Sequence, residues 1–290
     1  MAHKKSLEAL DRTLQDLRDN QQPFGGALIL LTGDFRQTLP VLSRSTPADE
    51  LNACLKSSHL WRYVKKLSLT LNMRIQLQNH ASARLFARQL LDIGNGKIAT
   101  DNVTGLITLP ADCCVLTESK EALISNVYPD IERNFTNHQW LSDRAILAAK
   151  NKDVSDINVD IQNKIRGEIK TYKSIDCVND PDEIVNYPIE FLNSLDLPGT
   201  PPHMLQLKVG VPIILLRNLN PPRLLRLAFA MTINKSQGQS LKVCGLNLHT
   251  PCFSHGQLYV GCSRVGNPSS LFVFAHEGKT KNVVYQKALQ

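Results

Sequence analysis

Polar residues able to do chemistry gather where apolar runs end. Gly33-Asp34-Phe35-Arg36-Gln37 follows the apolar Ala27–Leu31. A carboxylate with an amide three residues later can be aimed at one ligand, and the same residues also suit a strand-end turn with a helix cap. Arg74 ends Leu71-Asn72-Met73-Arg74, just past an alternating run. There a guanidinium can grip a phosphate through two parallel N–H groups, as lysine cannot; a solvated surface arginine is the plainer alternative. The longest run passes from Ala228-Phe229-Ala230-Met231 into Thr232-Ile233-Asn234-Lys235-Ser236-Gln237-Gly238-Gln239-Ser240. Hydroxyl, ammonium, amide and open backbone N–H groups are the donors that hold phosphate oxygens. Tyr259-Val260-Gly261-Cys262-Ser263-Arg264 follows, with Tyr259 and Ser263 on one helical face and Arg264 offset by one position. A core helix carrying a solvated arginine would read the same way.

The elements that must position these groups alternate between strand-like and helix-like. Leu7, Leu10, Leu14 and Leu17 recur at helical spacing among charged residues, which predicts an amphipathic helix. Ala27–Leu31 is continuously apolar and short, the pattern of a strand covered on both faces in a parallel sheet. Gly33-Asp34 would then lie at its C-terminal end, the edge where open α/β sheets bind ligands. Leu67–Leu71 alternates as a strand, and Ala81–Ile93 reads as a helix stopped by Gly94-Asn95-Gly96. Arg144–Ala149 predicts a buried strand, followed by a helix over Asp153–Ile165 with Val154, Ile157, Ile161 and Ile165 inward. Val243–Leu248 and Leu271–Ala275 are two further strands, and the proline-rich Leu197–Pro202 and Asn220-Pro221-Pro222 are loops. The class is α/β with a largely parallel sheet.

Composition narrows the function classes. At 290 residues, 42% hydrophobic and 20% charged, the chain can build one large core or two smaller ones. A net charge of +7 favours a polyanionic partner without requiring one. No apolar run reaches the about 18 residues of a spanning helix, and the charged N-terminal stretch has no signal-peptide core, so no membrane partner is expected. Seven cysteines, none in a C-x-x-C pair, point to reduced thiols, with no metal site expected.

The order of the clusters carries a resemblance. Asp-Phe-Arg-Gln-x-x-Pro-Val, Asn-Met-Arg, Thr-Ile-Asn-Lys-Ser-Gln-Gly-Gln-Ser and Tyr-Val-Gly-Cys-Ser-Arg-Val resemble, in sequence, the later motifs of superfamily-one DNA helicases. More narrowly, they are similar to the Pif (petite integration frequency) type, including the helicase portion of Helitron transposons. Flanking text supports it, from Phe24-Gly25-Gly26 and Leu60-Trp61 to Leu207-Lys208-Val209-Gly210.

The resemblance implies a RecA-like P-loop NTPase fold, with one partial and one nearly complete parallel-sheet domain. Residues 1–66 would be the trailing part of the first domain and residues 67–290 the second. Gln37 would sense the γ-phosphate of ATP, supported by Asp34, with Gln237 and Gly238 approaching the nucleotide. Arg74 and Arg264 would project as arginine fingers that stabilise the phosphoryl-transfer transition state. Asn151, Lys152, Thr232, Lys235 and Ser236 would meet the phosphates of single-stranded or forked DNA.

In the complete enzymes the cofactors are ATP and Mg²⁺. This chain contains neither the G-x-x-x-x-G-K-[ST] phosphate loop nor the magnesium-binding Asp-Glu pair. It is therefore expected to begin just after that pair, to bind neither cofactor well, and to be inactive alone. Ala-Ala-Lys-Asn at 148–151 stands where such helicases usually carry Ala-Pro-Lys-Asn, and their β-barrel insertion is expected to be deleted near 224–225. The family activity is 5′-to-3′ ATP-dependent DNA unwinding, in the nucleus or alternatively the mitochondrion. A non-catalytic remnant, or a DNA- or protein-binding module, is the alternative.

Overall fold

Five short apolar runs assemble the central sheet of the computed structural model, which describes residues 2–42, 45–70, 81–110, 112–175, 177–178, 186–195, 202–215 and 225–290. They are Val115–Leu116 (β1), Arg144–Ala148 (β2), Ala230–Thr232 (β3), Val243–Asn247 (β4) and Leu271–Phe274 (β5), in spatial order β1-β5-β4-β2-β3. Every neighbouring pair is parallel. The three strands expected after residue 140 all form, each one residue shorter at its C-terminal end. Side chains alternate between two cores as the pleat requires. Ala145 and Leu147 join one, Ile146 and Ala148 the other, and all four are at most 1% exposed.

Helices cover both faces. Ala81–Gly94 (α2) and Gln257–Cys262 (α5) bury Phe86, Ile93, Leu258 and Val260 with Leu147 and Leu246. Lys120–Val127 (α3) and Asn151–Lys164 (α4) bury Leu123, Ile157 and Ile161 on the other side with Phe229. The inward stripe expected for α4 (Val154, Ile157, Ile161, Ile165) is buried throughout.

Strand β3 ends the sheet, so its outer N–H and C=O need partners. Asn158 of α4 supplies both, donating from Nδ2 to the Ala230 carbonyl (3.1 Å) and accepting the Ala230 amide (2.9 Å). Two antiparallel ribbons flank this edge, Lys170–Lys173 with Met204–Leu207 and Ile213–Leu215 with Leu225–Leu227. Lys208 donates to the carbonyls of Gln162 and Ile165 at the C-terminus of α4, where a cation also complements the helix dipole.

Lys4–Arg18 (α1) is the expected amphipathic helix. Phe24 and Gly25 lock against it through the Phe24 amide on Asp11 and the close approach of Gly25 to the Leu14 carbonyl. Its stripe is only partly covered, since Leu7 is buried while Leu17 is 77% exposed.

Two expected strands do not form. Ala27–Leu31 is irregular, with Leu28 100% and Leu30 82% exposed. Residues 67–70 are likewise irregular, with Leu69 100% exposed; Leu71 lies outside the described residues. An apolar run becomes a buried strand only when neighbours accept its backbone groups, and among the described residues no strand stands beside either segment. Amides of Ala145–Ala148 should therefore exchange with deuterium only on global unfolding, while those of Leu28–Leu31 exchange almost freely. Hydrogen-exchange mass spectrometry checks this contrast.

Candidate functional site

Ser236-Gln237-Gly238-Gln239 forms a turn closed by the Gln239 amide on the Ser236 carbonyl (3.0 Å). Gln237 at φ −58°, ψ 129° and Gly238 at φ +85° give type II geometry, which demands glycine at the third position. Arg264, 6% exposed, clamps both ends from below. Its Nη1 donates to the Ser236 and Gln239 carbonyls (2.9 Å each), Nε to the Val260 carbonyl (2.8 Å) and Nη2 to Ser263 Oγ (2.7 Å).

Arg264 thus does not project as expected of a finger. A buried guanidinium needs acceptors on its N–H groups, and the backbone carbonyls around the turn supply them. Ser236 also departs from expectation. It is fully buried and donates to the Ile233 carbonyl (2.8 Å), so it supports the turn from inside and cannot reach a DNA phosphate.

The clamped turn meets the Asp34–Thr38 segment. Gln237 Nε2 donates to Gln37 Oε1 (2.9 Å), and Thr38 Oγ1 donates to Gln237 Oε1 (3.1 Å). Tyr259, on α5, donates its hydroxyl to Asp34 Oδ2 (2.8 Å), while Asp34 Oδ1 takes the Arg36 amide (3.0 Å) and Arg36 Nη1 (3.2 Å). Arg36 Nε reaches Asn95 (2.8 Å). Burial and then the Asp34 charge push the Tyr259 phenol upward, keeping it a donor. Phe35 packs edge-on against Trp61 with Lys56 over its ring.

His255 and Gly256 complete this junction, and neither was singled out from sequence. His255 Nδ1 accepts the Tyr285 amide (2.8 Å) and its Nε2 lies 2.8 Å from the Phe35 carbonyl, which fixes a neutral ring with hydrogen on Nε2. Burial holds the imidazole below its ordinary value, against the opposing pull of the Phe35 carbonyl and Asp34. Gly256, at φ +72°, approaches so closely that a Cβ would stand 2.3 Å from the Arg36 carbonyl oxygen.

The DNA-facing candidates gather on the other side of the turn. Ala148 and Thr232 pair across β2 and β3, so the loops after both strands leave the sheet at one C-terminal edge. Asn151, exposed in the first turn of α4, lines an open cleft of about 840 Å³ with Thr232, exposed Lys235 and half-buried Arg226. The cleft walls desolvate Lys235 and Arg226 repels it, which lowers its affinity for a proton. Lys152 is exposed in the same helical turn but does not line the cleft. Gly238 is exposed with open space around it. Arg74 lies outside the described residues.

A model of the PIF1-like helicase family matches residues 1–104, and a model for the 2B domain of DNA helicase Pif1 matches residues 190–225. Over those two stretches the chain resembles the Pif1-like helicases. The chain is 25% identical to ATP-dependent DNA helicase PIF1 of Xenopus laevis over 96% of its own length and 46% of that protein. For the Danio rerio helicase of the same name the figures are 23%, 94% and 44%. It therefore spans less than half the length of these curated relatives.

Among solved structures, Pif1 helicase from Candida albicans matches with a TM-score of 0.67 at 19% identity, covering all of this chain and 72% of that one. Pif1 from Bacteroides in complex with ADP-AlF3 and ssDNA matches with a TM-score of 0.60 at 18% identity, covering all of this chain and 71% of that one. These likenesses carry the RecA-like fold. The 2B match reaches residue 225, at the expected deletion point near 224–225, whose Pro221–Leu224 lie outside the described residues.

Gly256→Ala should cost at least about 1–3 kcal/mol from its backbone strain alone, with the Arg36 clash added. Gly238→Ala, strained but unobstructed, should cost less; urea unfolding of the two variants checks the order. The pH dependence has a definite sign. Unfolded chains protonate this histidine near pH ~6.5 while the folded ring resists, so its contribution is complete above that pH and is lost as pH falls below it. The urea midpoint should drop between pH ~7.5 and ~5.5, and less so in His255→Gln.

Proposed function

We propose that the chain supplies the second motor domain of an ATP-dependent DNA helicase and holds single-stranded DNA at the C-terminal edge of its sheet. The observation that carries this reading is the convergence of Asn151, Thr232 and Lys235 on one cleft, beside the turn that reaches Gln37. An ammonium, an amide and a hydroxyl at the end of parallel strands suit phosphate oxygens, and the surplus positive charge favours a polyanion. Lys152 and Arg226 add charge at the same edge. Relatives solved with ssDNA and at forked dsDNA support these as the DNA classes, and 5′-to-3′ movement is carried over as part of the same proposal.

The nucleotide side fits less well. The residues present include no phosphate-cradling loop. Asp34 is engaged by Tyr259 and Arg36, and the Arg264 guanidinium is turned onto carbonyls. These residues do not by themselves make an ATP–Mg²⁺ site. What they do is couple positions. Gln237 meets Gln37 and Thr38 at the seam between two parts of the proposed motor, and Lys235 stands two residues from Gln237 on the proposed DNA side.

Fluorescence anisotropy with a labelled single strand tests the reading. Affinity should fall steeply with salt, since each phosphate contact releases counterions. Lys235→Ala should weaken binding about 5- to 10-fold and flatten the salt slope by about one contact. Salt-independent binding, or an unchanged Lys235→Ala protein, would contradict it. Stimulated ATP hydrolysis by the 290-residue chain alone is not expected.

A further inference from the structure

The cleft beside Lys235 contains more than phosphate binding uses. Behind its charged rim the walls are apolar, formed in part by Val154, Met204 and Met231. Gln162, also on α4, lines the same space. It is 3% exposed, and its Oε1 is buried with no hydrogen-bond partner. Its backbone carbonyl is already taken by Lys208, so the orphan acceptor belongs to the side chain. Leaving such an acceptor unpaired is costly, and a ligand bringing a donor would satisfy it.

We propose that this cleft is a nucleobase pocket, taking one base of the strand whose phosphate is held at the rim by Lys235 and Thr232. The inference rests on the single-strand reading above and names what else that site recognises. A base is a flat, largely apolar ring with donors on its edge, which matches aliphatic and thioether walls ending in an amide. Methionine sulfur also makes favourable contacts with aromatic rings. The Gln162 acceptor can take an N–H from the edge of any base, the exocyclic amine of adenine, cytosine or guanine or the ring imide of thymine. The pocket then adds recognition of a base, without choice of sequence, to the grip on phosphates.

Binding of the intact chain to short homopolymers of deoxyadenosine, deoxycytidine and deoxythymidine, and to an abasic strand of equal length, tests this. All three base-bearing strands should bind about 3- to 10-fold more tightly than the abasic strand, the worth of one hydrogen bond. Gln162→Met should narrow the gap between base-bearing and abasic strands while keeping salt-dependent affinity for all of them, with an unchanged melting curve showing that the core is intact. Met204→Ala, at a wall position 55% exposed and so safe for folding, should narrow the gap between thymidine and abasic strands. Equal binding of all four strands would overturn the pocket and leave the phosphate reading standing. So would a gap between base-bearing and abasic strands that survives Gln162→Met unchanged. Failure of every strand to bind at low salt would remove the single-strand reading itself, and the pocket with it.

Discussion

A buried guanidinium organises the functional part of this molecule. Arg264 is almost fully enclosed, and a charge in that position survives only if its N–H groups are satisfied. The partners are the carbonyls of Val260, Ser236 and Gln239 together with the Ser263 hydroxyl. Two of those carbonyls begin and end the Ser236–Gln239 turn, so satisfying the charge also sets the turn. Lysine could not replace it, because one ammonium lacks the planar fork that spans these acceptors.

From that turn the structure reaches in two directions. Gln237 leads to Gln37 and Thr38, beside the Asp34–Tyr259 hydrogen bond and the neutral His255 under Phe35. Lys235 leads to the cleft with Asn151 and Thr232 at the end of the sheet. Between them sits Ser236, wholly buried and bonded at both its hydroxyl and its carbonyl. A shift at the seam has no slack to absorb it before Lys235. In the proposed reading, such a two-sided turn would let events at a nucleotide be passed on to a strand.

Much of this was legible from residues alone, for reasons that differ by element. Arg144–Ala148 and Val243–Asn247 were readable because strands buried on both faces must be continuously apolar, and the helix after residue 150 because its isoleucines recur at helical spacing. Ala27–Leu31 has the same signature, yet a strand is a property of a pair, and no described neighbour completes it. At the site, Gln237 and Gly238 stood out by their phosphate-binding residue types and by the motif order, whereas the type II turn they form shows only in the structure. Arg264 was expected to project as a finger and instead turns onto carbonyls, since nothing in a residue type says whether solvent, phosphate or carbonyls will satisfy a guanidinium. Asn158 and Gln162 were invisible for a related reason. They occupy buried positions on the Val154 stripe, where an apolar residue is the ordinary expectation, and only coordinates show that one caps a sheet edge and the other faces a cleft.

The most direct test of the account is residue-level hydrogen exchange on Arg264→Lys beside the parent protein. If the guanidinium fixes the turn and the turn fixes the seam, protection should fall together at Gln37 and at Gln239. The amides of Ile146–Ala148, deep in the sheet, should lose no more than the global stability change. A uniform loss across all these amides, or retained protection at Gln239, would show that the turn is held by something other than Arg264 and would contradict the account.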